Sequence, residues 1–180
     1  GKYSSTIRNE RGDIVGVPYL SNTDSLAYNK SKIGEDINTW EALFDSQFKG
    51  YASIQNSLGP TITITAIYLK QANKQDIKNP SNMTKDEIKG VCEFLINMKK
   101  RGQFKKIWDN YHDGVRLLAN GEVLVSSCWE PIAIYAQTKG MDIKYGVMKE
   151  GHLEWNNVWM FTKGGQKRGQ EKNFYKLMNL

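Results

Sequence analysis

The chain has 180 residues, of which 39% are hydrophobic and 24% charged, with a net charge of +6. A chain of this size buries about 70% of its unfolded surface, enough for one core without staples. That composition excludes a disordered or fibrous chain, and no apolar run approaches the ~20 residues of a membrane span.

Residues 14–19 read as a strand ending in a turn and residues 26–29 as a second short strand. Between them Ser21, Asn22, Thr23 and Asp24 form a polar loop of turn-formers. Residues 38–44 open with good caps and read as a short helix, with Trp40, Leu43 and Phe44 on one face. Residues 51–55 suit a strand. Residues 60–69 alternate Thr and Ile as a strand would, while Pro60 after Ser57 and Gly59 reads as a helix start. Local pattern leaves that choice open; as a helix, its first turn would offer free N–H groups beside Ser57 to an anion or carbonyl oxygen.

Residues 73–82 are polar and loop-like. Thr84 with Glu87 is a capping box, and the helix it opens places Ile88, Val91, Cys92, Leu95 and Ile96 at helical spacing. It ends at Lys99, Lys100, Arg101 and Gly102. A strand over 104–108 and a helix over 114–119 follow. Residues 123–127 suit a buried strand that stops at Trp129, with Pro131 at a helix start. Residues 143–148 form a second such strand. Strand, helix, strand reads as a βαβ unit, and ligands in such sheets collect at the carboxyl ends of strands. Trp129 and Trp155 each follow such an end. Residues 158–161 read as a strand, 164–169 as a basic turn, and 171–180 as a helix. The alternation gives the α/β class.

The basic residues are scattered, densest at 99–101 and 163–172, so they read as solvated surface and no nucleic-acid partner is expected. Cys92 and Cys128 read as free core thiols. His112 and His152 lie far apart without ligand neighbours, so no metal site is expected. No phosphate loop or nucleophile motif appears, and neither catalysis nor a cofactor is expected. Among the five Trp, Trp40 and Trp159 fit core positions and Trp108 fits core or rim. Two readings stand for Trp129 and Trp155: they fill the core, or they wall a ligand whose polar groups Glu130, Asn156 and Asn157 hold.

The order of several short pieces resembles the periplasmic solute-binding proteins of spermidine/putrescine-type ABC importers. These pieces are Gly16-Val17-Pro18-Tyr19, Leu26-Ala27-Tyr28-Asn29, Thr39 to Asp45, Phe48-Lys49-Gly50, Asn120 to Val123, Trp129, and Lys149-Glu150-Gly151 before Trp155. The resemblance spans residues 12–180. It implies a type II periplasmic-binding-protein-like lobe, a central mixed sheet flanked by helices, and it makes residues 60–69 a helix. Residues 1–180 would be the inserted second lobe of a two-lobe receptor, with 164–180 returning through the hinge toward the absent first lobe.

The resemblance implies Trp155 as an aromatic wall and places Asn157 beside the ligand. In addition, Trp129 is expected as a second wall, Glu130 as a cation partner, and Asn157, Asn22 and Ser57 as polar contacts. Asn157 stands where the family has a carboxylate, and residues 56–60 carry no acid where it has an acidic cluster. A diamine needs opposed carboxylates to offset its desolvation. Their absence speaks against spermidine and putrescine themselves. The expected ligand is a small polar, amine-containing or polyamine-like solute, and one carrying both signs of charge, such as an amino acid derivative or opine-like compound, fits the residues present. The implied partners are that solute and an ABC permease, for an extracytoplasmic monomer. The alternative is a ligand-sensing domain of an extracytoplasmic signalling receptor; an enzyme on this fold would need a catalytic pair from the other lobe.

Overall fold

The computed structural model describes residues 10–12, 16–160, 162–170, 172–173 and 176. The expectations for residues 14–15, for position 161 and for most of the 171–180 helix lie outside the described residues. Two compact units are present: Thr23–Leu153 is one, and the described residues on either side of it form the other. The described helices include none long and apolar enough to cross a membrane.

The elements run β1 (Val17–Asn29), α1 (Lys30–Ile33), two 3-10 turns (Trp40–Leu43 and Ser46–Phe48), β2 (Ala52–Gln55), α2 (Leu58–Gln71), α3 (Lys85–Lys100) and β3 (Phe104–Trp108). They continue with α4 (Tyr111–Ala119), β4 (Val125–Trp129), α5 (Glu130–Thr138), β5 (Ile143–Tyr145), β6 (Leu153–Trp159) and α6 (Lys163–Lys167). The sheet order is β3-β2-β4-β1-β5, with β6 also pairing β1. β2 lies parallel to β3 and β4, while β1 runs antiparallel to both β4 and β5. The sheet is mixed, as expected.

One expectation needs correction here. The stretch from Ser21 to Asp24 is no loop, because β1 runs unbroken through it. Asp24 begins the ladder with β4, and β6 also pairs β1, so strand pairing outweighs the turn preference of these residues. The expected βαβ unit is present in split form: β4 and β5 each run antiparallel to β1, which lies between them, and so run parallel to each other with α5 as the connection.

Each face of the sheet carries its own core. On one face Leu26, Tyr28, Ile54 and Val125 join Trp40, Leu43, Phe44, Ile64, Leu69 and Val91. On the other, Ala27, Trp108 and Cys128 join Leu117, Leu118, Ile132 and Ala136 from α4 and α5. Alternating side chains of one strand thus feed both cores, which is why positions 24–29 of β1 are all buried.

The open choice at residues 60–69 resolves as helix. Pro60 occupies the first turn of α2, where its missing N–H costs nothing. The Thr61 hydroxyl donates to the Gln55 carbonyl at 2.6 Å and that of Thr65 to the Thr61 carbonyl at 2.7 Å, so the β-branched residues keep their polar groups satisfied. Ile64, Thr65, Ala66, Tyr68 and Leu69 are then buried. α3 follows its capping box, with both reciprocal bonds formed. Its core face is rotated from the expected stripe: Val91, Phe94, Leu95 and Met98 pack inward, while Ile88 and Ile96 are exposed. The basic turn expected at 164–169 begins instead as α6.

Candidate functional site

Parallel pairing brings the carboxyl ends of β2, β3 and β4 to one edge of the Thr23–Leu153 unit. Each strand there gives way to a helix of nine or more residues: α2 after Ser57, α4 after Asn110 and α5 after Trp129. Their first turns carry N–H groups without intrahelical partners and the positive ends of the helix dipoles. β1 enters at the same edge, with Asp24 opposite Trp129.

Trp129 is half-buried and meets the fully buried Trp108 edge-on, centroids 5.5 Å apart and planes at 88°. The Trp108 indole N–H donates to the Ser127 carbonyl at 3.2 Å, fixing the ring on which Trp129 rests. The chain after β2 is tied to the end of β3 twice. Asn56 N–H donates to the Trp108 carbonyl at 2.7 Å, and the Asn56 amide donates to an Asp109 carboxylate oxygen at 2.6 Å. Asn110 caps α4 by accepting from Asp113 N–H, and Lys106 pairs with Asp113 at 3.0 Å. Asp109 and Glu130 are both exposed, Glu130 in the first turn of α5 where a carboxylate is favoured.

Of the expected contacts, Trp129, Glu130 and Ser57 lie at this edge. Ser57 precedes α2 without capping it through its side chain. Trp155 and Asn157 lie on β6 and Asn22 on β1, in the other unit. Trp155 is the third residue of β6, inside the strand and not past a strand end as expected. Two apart on the strand, Trp155 and Asn157 share a face. Within that unit Ser21 bonds to Asn156, and Tyr19 packs on Trp159 at 5.0 Å. Trp159, expected in the core, is 43% exposed, because its partner is this surface tyrosine. Trp40 and Trp108 are core residues.

Asp109 escaped the sequence reading. The available signal was its position directly after the expected strand 104–108, where a ligand-facing residue belongs. Cys128 is buried and Cys92 half-buried, both as free thiols. Burial, followed by the charge of Asp24, pushes the Cys128 thiol far above its ordinary range, so it stays protonated. Among the described residues no group of His, Cys, Asp and Glu has the makings of a metal site. An apolar groove of about 300 Å³ runs from Asn56, Ser57 and Leu58 past Ile62 to Leu95 and Ile96.

Strand ends and helix starts gather at one edge of a mixed sheet with helices on both faces, the α/β arrangement of periplasmic binding proteins. The family described as bacterial extracellular solute-binding protein matches residues 3–178, and the chain belongs to it. A putrescine/agmatine-binding protein of Pseudomonas aeruginosa is 26% identical over 176 residues, covering 86% of this chain and 44% of that protein. The chain thus spans less than half the length of this relative. Among solved structures, the PotD lipoprotein Tp0655 of Treponema pallidum superposes with a TM-score of 0.70 at 14% identity, over 90% of this chain and 49% of that one. The spermidine/putrescine transporter protein PotD of Streptococcus pneumoniae does so with 0.68 at 15%, over 84% and 44%. At these identities the superpositions show the fold. By their names the Pseudomonas and Streptococcus relatives are binding proteins, the latter of an ABC transporter.

Proposed function

We propose that this chain carries the ligand-binding second lobe of an extracytoplasmic receptor that hands a small amine-bearing solute to an ABC permease. On this reading residues 1–180 form the inserted lobe of a two-lobe protein, with 164–180 returning toward the first lobe. The observation that carries the proposal is the Asp109 carboxylate, tethered by Asn56 on the strand-end edge that also bears Trp129 and Glu130. Residues 56–60 lack an acid, and Asp109 supplies one from the neighbouring strand. An ammonium or guanidinium can pair with Asp109 or Glu130 and lie against the Trp129 indole, since aromatic faces attract cations. Ser57 is proposed as a polar contact at the same edge. Trp155 and Asn157 are proposed ligand contacts on the ground of the sequence resemblance, and Asn22 as a further polar contact. The family and the name of the Pseudomonas relative support the solute class.

A thermal-shift panel on the full-length protein tests the reading. Agmatine, putrescine and related amines are expected to raise Tm, since ligand at a hundredfold over Kd adds about 2.7 kcal/mol to stability. Shifts confined to neutral sugars or simple carboxylates would contradict it.

A further inference from the structure

β5 lies across β1 from β4, yet the Tyr145 hydroxyl reaches main-chain groups of both β1 and β4. It accepts the Ser25 N–H at 2.8 Å and lies 2.7 Å from the Thr23 carbonyl oxygen and 2.8 Å from that of Cys128. Its single proton serves one carbonyl at a time or is shared between them. Ser25 returns the grip, its hydroxyl donating to the Gly146 carbonyl at 2.5 Å, and Gly146 N–H donates to the Leu26 carbonyl at 2.8 Å. A Cβ on Gly146 would collide with the Met148 methyl carbon and lie 2.8 Å from the Ile37 carbonyl oxygen, so it is the main chain at Ile37 that leaves room here for glycine and no side chain. Burial raises the Tyr145 pKa beyond the usual phenol range, which favours the protonated hydroxyl that the clasp uses as donor.

The two carbonyls are those preceding Asp24 and Trp129, the pair that face each other where β1 and β4 reach the strand-end edge. We infer that Tyr145 is a positioning residue for the solute site: by holding the Cys128 and Thr23 carbonyls it fixes the last step of β4 and the setting of the Trp129 indole. The functional meaning of this clasp rests on the solute-receptor reading above; its geometry does not. Tyr145→Phe keeps the ring and removes the clasp, leaving one amide and two carbonyls of two strands to re-pair.

Nuclear magnetic resonance on this chain tests it, with the Trp129 indole N–H signal assigned through Trp129→Phe. In Tyr145→Phe the Trp129 signal is expected to shift while that of Trp40, in the opposite core, stays, and the Ser25 amide is expected to exchange at least tenfold faster. An unmoved Trp129 signal with unchanged Ser25 exchange would overturn the inference. If Tyr145→Phe does not fold, exchange in the unsubstituted chain decides: Ser25 protected as well as Ala27 supports the clasp, and Ser25 exchanging like an exposed strand end overturns it. With full-length protein, agmatine binding weakened severalfold at equal Tm supports the functional half, and unchanged affinity overturns it. Absence of any amine binding by the unsubstituted full-length protein would sink the receptor reading and leave the resonance and exchange results to judge the clasp.

Discussion

Glu87 shows how single side chains set local stability here. Its carboxylate accepts the Thr84 N–H at 2.6 Å and the Lys78 N–H at 2.8 Å, and these bonds, that of Thr84 first, hold its pKa below the ordinary 4.5. A depressed carboxylate pKa means stability that is present above the unfolded value and lost as pH falls through the folded one. Acid titration of stability from pH 5 downward is expected to show this loss, and Glu87→Gln to flatten it. Thr84→Ala is expected to cost about 1 kcal/mol in denaturant unfolding, the usual value of an N-cap. Trp108 should matter more. It is buried, bonded through its N–H and supports Trp129, so Trp108→Ala is expected to cost about 3–5 kcal/mol by the same measurement. The Thr84–Glu87 box was legible because both partners lie within one turn. Asp109 was not, because its significance comes from Asn56, brought beside it only by strand pairing.

At the level of elements, the same division between local and long-range causes decides what could be read. α3 carries its start and stop signals within itself, and β3 matches its expected span. The expected α3 stripe included Ile88 and Ile96, which share a helix side with Cys92; packing against Phe44 and Tyr68 selects the side bearing Phe94 instead. β1 reads as two strands because nothing in Ser21 to Asp24 announces the neighbours that pair with it. α2 is the sharpest case, since its Thr and Ile residues favour a strand by themselves and the buried face against the sheet makes the helix. An isolated peptide of residues 57–72 is therefore expected to show little helicity by circular dichroism. Strong helix in that peptide would mean that local propensity, not packing, decides this element.

For the molecule as a whole, family and fold were legible through the order of many weak pieces, each marking a turn, a cap or a strand end. The chain spans 44% of its Pseudomonas relative, and the proposed receptor closes two lobes on its solute. Contacts from one lobe alone leave the cost of immobilising the ligand largely uncompensated. This chain by itself is accordingly expected to bind amines weakly, which calorimetry would register as no saturable heat at micromolar concentrations. The acid on the strand-end edge is where the proposed specificity resides. Titrating agmatine by calorimetry into the full-length protein and its Asp109→Asn variant tests this most directly. The account predicts saturable binding that weakens at least tenfold in the variant, in line with about 1.5–3 kcal/mol for a hydrogen bond to a charged group. Equal affinity in the two proteins, or no binding of any amine by the unsubstituted one, would contradict it.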